Sequence, residues 1–268
     1  MPVQKTPDLL KTILEHKAGE IRDRRAAISL ANLKQQALDC PSGRGFTSAL
    51  RQTIHTHAPA IIAELKKASP SRGVIRKEFH PGQIAQAFAS AGATCLSVLT
   101  DIRFFQGSDA FLQHARDACV LPVLRKDFLI DPYQVFESKV IGADAILLIV
   151  AALSDLQLQE LAGTAAELGL DVLVEVHDRE ELERGQMLRT PLIGINNRNL
   201  HTFEIDLDIT LGLLPDVFPD RIVVTESGIH SRLELMRMRR LGVHAFLIGE
   251  LFMQAADPGA KLRELIAE

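Results

Sequence analysis

From about residue 60 onward the chain repeats one rhythm eight times: a short apolar run ends in polar residues and is followed by a segment with helical spacing. The apolar runs occupy residues 60–66, 95–100, 121–126, 144–150, 171–176, 191–196, 221–226 and 243–249. Continuous rather than alternating apolarity fits parallel strands buried on both faces. The intervening segments are punctuated as helices. Asp131-Pro132 and Ser154 stand where N-terminal caps belong, and Gly92, Gly142, Gly169 and Gly242 where a helix stops before the next strand. Eight βα units in roughly 210 residues predict an α/β fold, a (β/α)8 TIM barrel, whose usual length is ~250 residues. An open doubly wound sheet is the rival, but no GxGxxG follows the first apolar run.

Residues 1–59 read differently, as an N-terminal helical extension packed on a barrel of residues 60–268. Within them, residues 6–33 carry Leu9, Leu10, Ile13, Leu14 and Ile21 at helical spacing, and "CPSGRGF" (40–46) is a breaker loop. The two parts are expected to form one structural domain.

Composition narrows the function. A net charge of −4 without a long single-sign run gives no reason to expect a nucleic-acid or anionic-membrane partner, yet leaves room for a small anion if positive charge is local. The three cysteines are dispersed and lack a CxxC pair, which fits a reducing cytoplasm rather than a disulfide framework or a zinc cage. The N-terminus has no signal-peptide core, and the longest apolar run, 145–153, is far short of the ~20 residues that span a bilayer. The His55-Thr56-His57 stretch reads as a surface pair, and no metal site is expected.

Barrel chemistry sits at the carboxyl ends of the strands. Side chains alternate along a strand, so Glu64 and Lys66 share one face, Lys126 shares the face of Leu124, and Arg125 points the other way. Asn196 shares the face of Gly194, with Arg198 just beyond; Glu175 and Glu226 end the fifth and seventh runs. A closed barrel gathers these side chains around one mouth. "ESGI" (226–229) and "IGE" (248–250) are small-residue turns in units seven and eight, where barrels commonly bind phosphate; Gly228 and Gly249 would let the backbone approach an anion. The "SPSRG" turn, with Ser69 and Arg72, reads as a substrate-binding loop, and Phe105 and Phe128, in the loops after strands two and three, suit an apolar ring.

The segments "AIIAELKKASPS", "SVLTDIRFFQGS", "PVLRKDFLIDPYQ", "GADAILLIV", "LVEVHD", "IGINNRNL", "TESGI" and "AFLIGELFM", in this order, resemble indole-3-glycerol-phosphate synthase of tryptophan biosynthesis. The resemblance covers residues 60–253. It implies a cofactor-free ring closure, decarboxylation and dehydration of 1-(2-carboxyphenylamino)-1-deoxyribulose 5-phosphate to indole-3-glycerol phosphate. By the same resemblance Lys126 is the general acid that protonates the ketone, and Glu175 the carboxylate beside it. Glu64 and Lys66 serve proton transfer in the dehydration and anion binding, in a division left open. Ser69, Asn196, Arg198, Glu226 and Ser227 would complete the polar pocket, and Phe105, Phe128, Leu147 and Ile149 would wall the anthranilate ring. Gly228, Gly249 and Glu250 would bind phosphate. At Glu250 the family often has a serine; a carboxylate repels phosphate, so the side chain is expected to turn outward and leave its N–H to bind.

The implied partner is a phosphorylated small molecule, with no nucleic acid or membrane; contacts with other enzymes of the tryptophan pathway are left open. No fused isomerase domain, such as some relatives carry, is expected after the eighth helix. Phosphoribosylanthranilate isomerase, a rival barrel of the same pathway, expects a cysteine and an aspartate as its acid–base pair. A catalytically silent barrel would be expected to have lost Lys126, Glu64 or Glu175.

Overall fold

The structure is a computed structural model that describes residues 8–200 and 202–267. Eight parallel strands close on themselves in chain order, the eighth pairing with the first. They are β1 (Ala60–Leu65), β2 (Cys95–Leu99), β3 (Val123–Lys126), β4 (Ala145–Ile149), β5 (Asp171–Val176), β6 (Leu192–Asn196), β7 (Ile222–Glu226) and β8 (Ala245–Ile248). Every predicted run contains one, trimmed by up to two residues at either end. The barrel is therefore the (β/α)8 fold that the rhythm predicts.

The local signals act as read. Asp131 caps the helix Pro132–Val140 by accepting from the Tyr133 N–H, and Ser154 forms a capping box with Gln157. Gly92, Gly142, Gly169 and Gly242 all have positive φ, the left-handed conformation that ends a helix before the chain turns into the next strand.

Two-residue alternation sorts the strands into two packed layers. Ala60, Ile62, Cys95, Leu124, Ala145, Leu147, Leu173, Leu192, Val224, Ala245 and Leu247 fill the barrel interior. Ile61, Ala63, Leu65, Leu96, Val98, Ile146, Leu148, Val172 and Val174 face the surrounding helices. Arg125 also faces outward, as predicted, but it is 1% exposed and lies in a polar network instead of in water.

The N-terminal extension is three helices, not one continuous helix over 6–33: α1 (Asp8–Ala27), α2 (Leu30–Leu38) and α3 (Phe46–His55). Residues 6 and 7 of the predicted segment lie outside the described residues. The break falls at Ile28-Ser29, where Ser29 turns extended and caps α2 through the Asn32 N–H. The extension clasps both ends of the barrel. Leu9, Leu10 and Ile13 of α1 reach the carboxyl-end mouth. Phe46 and Leu50 of α3, both fully buried, join the interior cluster with Ala60, Ile62 and Cys95, at the end where the strands begin. The breaker loop anchors α3: the Arg44 N–H donates to Asp144 and the Thr47 N–H to Asp171, at 2.7 and 2.9 Å.

Candidate active site

A cavity of about 200 Å³ opens at the carboxyl end of the barrel. All sixteen residues singled out from the sequence line it. Each arrives by the same local logic, an inward-facing position at the end of a strand or the first residues after it.

At its base, Lys126 Nζ lies 2.6 Å from Glu175 Oε2 and 3.0 Å from Glu226 Oε2. Lys66 Nζ lies 2.6 Å from Glu64 Oε2. Asn196 Nδ2 donates to Glu175 Oε1 at 3.2 Å, and its Oδ1 accepts from the Ser227 hydroxyl and the Arg198 N–H, both at 3.1 Å. Phe105 and Phe128 face each other with ring centroids 6.0 Å apart. Phe105 ends a one-turn helix, Ile102–Phe105, capped by Asp101, where a plain loop was expected. Ser69 belongs to a small antiparallel hairpin, Ala68–Ser69 with Gly73–Val74, which places Arg72 at the rim.

Burial and charge set the protonation states together. Burial alone would lower the Lys126 pKa, but Glu175, Glu226 and Glu64 outweigh it and hold the ammonium charged. Burial would raise Glu175, yet the attraction of Lys126 and His177 brings it below the usual carboxylate range. Glu226 goes the other way: burial and repulsion from Glu175 and Glu64 exceed the pull of Lys126 and push it up to about 8. Two carboxylates on one lysine are thus driven apart in acidity.

His177 is the residue that reading the sequence missed. Its backbone N–H and ring Nδ1 both reach Glu181 Oε2, at 2.8 and 2.9 Å, and Nε2 stands 3.4 Å from Glu175 Oε1. Burial lowers its pKa, but the flanking carboxylates raise it to about 10, so an imidazolium braces Glu175 from behind. The His177/Glu181 spacing of four was a weak signal. Asn197, buried next to Asn196, donates to the Thr225 hydroxyl and to the Glu226 and Ser227 carbonyls at 2.7–3.0 Å, fixing the start of the "ESGI" turn. In that turn Ser227 and Gly228 both take positive φ.

One expectation needs correcting and another needs extending. Glu250 does not turn outward: its carboxylate lies across the mouth, 3.0 Å from Arg72 Nε and 3.4 Å from Arg198 Nη2, because two guanidiniums there leave it a better partner than water. Gly249 also has a reason beyond anion approach. Its φ of −129° is open to any residue, but a Cβ there would run into the Glu64 carboxylate. Gly194 makes the same room for Glu226. Gly249→Ala is therefore expected to displace Glu64, costing about 1–3 kcal/mol as overpacking does and lowering kcat along with affinity. Denaturant unfolding and steady-state kinetics check this; a stable variant with unchanged kcat would mean that the position of Glu64 is dispensable.

Fold and mouth together define a (β/α)8-barrel protein with a paired lysine–carboxylate site at the carboxyl ends of its strands. Solved structures agree on the fold. The chain is similar to 3-hexulose-6-phosphate synthase from Salmonella typhimurium (14% identity, TM-score 0.61, covering 77% of this chain and 96% of that one). It is similar also to tryptophan synthase subunit alpha from Legionella pneumophila str. Paris (11% identity, TM-score 0.62, covering 84% and 97%). At such identities the likeness concerns the fold alone. The family comes from the sequence: the model of the indole-3-glycerol phosphate synthase family matches residues 10–265, nearly the whole chain, and the protein belongs to that family.

Proposed function

We propose that the protein converts 1-(2-carboxyphenylamino)-1-deoxyribulose 5-phosphate into indole-3-glycerol phosphate, carbon dioxide and water, as a carboxy-lyase of tryptophan biosynthesis. Membership of the family supports the reaction. The observation that carries it is the placement of Lys126, held by two carboxylates of opposite tuning at the base of a pocket with two facing aromatic rings.

An ammonium has three N–H donors. Two point to Glu175 and Glu226, which leaves the third for the substrate ketone. As the aromatic carbon attacks, negative charge grows on the ketone oxygen, and Lys126 supplies the proton there. The substrate ring would pack against Phe105 and Phe128, with Leu147 and Ile149 completing the wall and its reacting carbon toward that oxygen. Loss of carbon dioxide then restores aromaticity. The remaining hydroxyl must leave with a proton, and a second proton must be taken from the ring system. Glu226, pushed up to about 8, can hold or release a proton near neutrality, and the Glu64–Lys66 pair adds a second acid–base couple. Each proton taken thus has a nearby group able to return it.

The substrate's two anions explain why a chain of net charge −4 collects Lys66, Lys126, Arg72 and Arg198 at one mouth. The phosphate is assigned to the turns at Ser227-Gly228 and Gly249-Glu250, where it would compete with the Glu250 carboxylate for the two arginines. Cytoplasmic location, a phosphorylated small molecule as substrate and contacts with other tryptophan-pathway enzymes left open complete the reading; among the described residues no helix is long and apolar enough to cross a membrane.

The test is direct. Purified protein mixed with substrate in excess chelator is expected to produce indole fluorescence together with one equivalent of carbon dioxide. Substrate persisting unchanged through many enzyme equivalents of time and protein would refute the assignment.

A further inference from the structure

Lys17 lies on α1, outside every motif discussed above, and its side chain is 1% exposed. Its ammonium meets three carboxylates: Glu20 Oε2 at 2.9 Å, Asp101 Oδ2 at 3.0 Å and Asp127 Oδ1 at 2.9 Å. Glu20 is on its own helix, whereas Asp101 and Asp127 follow β2 and β3. Those two aspartates are the residues that hold the aromatic wall. Asp101 Oδ1 accepts from the N–H groups of Phe104 and Phe105, at 2.8 and 3.3 Å. Asp127 Oδ1 accepts from the Phe128 N–H at 2.8 Å, and its Oδ2 from the Thr100 hydroxyl at 2.6 Å. Asp127 is also the residue after Lys126.

We propose that Lys17 is a positioning residue: by bridging Asp101 and Asp127 it sets the spacing of Phe105 and Phe128 and the aim of Lys126, so that the site takes its working shape only with α1 docked. The inference rests on the proposed function and names a residue which that reading did not use.

A plain anchoring role explains less. Leu10, Ile13 and Ile21 on the same face of α1 are buried and already drive docking. The cluster as a whole adds little net stability over apolar residues of similar volume, because desolvation offsets the attraction, although removing the lysine alone leaves its buried aspartates short of a counter-charge. What such a group adds is register, since its ammonium lies within 3.0 Å of all three carboxylates in one placement only. The carboxylates need it in turn. Burial would raise Asp127, but Lys17, Arg125 and Thr100 hold it down at about 2, so it stays an acceptor for the Phe128 N–H.

The experiment compares Lys17→Met, Asp127→Asn, the double variant, and Arg25→Ala, a more exposed residue of α1 that pairs with Asp131. Lys17→Met and Asp127→Asn are each expected to lower kcat ~10-fold or more, as misplacements of ~1 Å do, with a smaller change in KM. The double variant should be no slower than the worse single one, because both remove the same bridge. Arg25→Ala should keep the parent kcat. In the free protein, hydrogen exchange at the Phe104, Phe105 and Phe128 amides should quicken in Lys17→Met, with residues 226–229 unchanged. A lower melting temperature with kcat and exchange unchanged, or additive losses in the double variant, would overturn the proposal. If the parent protein forms no indole, the functional reading falls, and amide exchange still decides the role of Lys17. Should Lys17→Met fail to fold, the isosteric Asp127→Asn supplies both measurements.

Discussion

Lys126→Met is expected to lower kcat by at least ~10²-fold, the lower end of what a positioned acid contributes, while substrate affinity changes far less. The ammonium's partner in the reaction is charge that appears on the ketone oxygen only as the carbon–carbon bond forms, so its loss falls on the transition state. Methionine keeps the length and the apolar stem. It removes the cation between Glu175 and Glu226, and two carboxylates cannot both stay charged there without it; Glu226, already pushed up to about 8, takes up the proton. The pocket therefore stays formed, and Lys66, Arg72 and Arg198 still attract the substrate's anions. Lys126→Arg should not rescue, because a guanidinium gives up its proton poorly and its planar fork does not fit between carboxylates at 2.6 and 3.0 Å from one nitrogen. Single-turnover and steady-state kinetics separate the two effects. A Lys126→Met variant with kcat within a few-fold of the parent would show that another group delivers the proton.

The neighbouring arginine gives the second large effect, on stability rather than on rate. The two-residue period alone predicts that Arg125→Ala is a harmless control for Lys126, since the side chain points away from the pocket. It does point away, but into a closed polar network. Nη2 lies 2.8 Å from Glu137 and 3.4 Å from both Asp109 and Asp127, Nε donates to Thr100 at 3.1 Å, and Nη1 donates to Ser138 at 3.1 Å and to the Gln134 carbonyl at 3.3 Å. Alanine leaves Glu137 and Asp127 with one fewer counter-charge in a dry site. Breaking a buried pair in this way typically costs ~3–5 kcal/mol, a large share of the ~5–15 kcal/mol that holds an ordinary domain together. Arg125→Ala is expected to unfold at clearly lower denaturant concentration with an unchanged slope. An unfolding midpoint equal to the parent's would mean that Arg24, which shares Asp109 and Glu137, compensates for it. The inert control for Lys126 is instead an exposed residue such as Arg25.

Much of the site was legible before any fold was known, because it depends on local geometry. Alternation along a strand is a property of the backbone, so Glu64, Lys66, Lys126 and Asn196 had to face one way and Arg125 the other. Capping by Asp131, Ser154 and the positive-φ glycines is equally local, which is why all eight strands fell where the apolar runs predicted. Other features depend on which strands come together, and only the closed barrel decided them. Glu175 lies 49 positions after Lys126 and Glu226 lies 100 after it, so neither pairing could be read from spacing. The split acidity of Glu175 and Glu226 follows from burial summed over several strands. Gly249 and Gly194 are glycines because carboxylates from neighbouring strands occupy the space of a side chain. Lys17 sat in no motif, and the closeness of His177 Nε2 to Glu175 Oε1, 3.4 Å, follows from the folded strand end rather than from spacing. Local chain geometry dictates which strand-end side chains reach the mouth; packing dictates which of them meet, since charge and proton affinity depend on distances across the barrel and on the water it excludes.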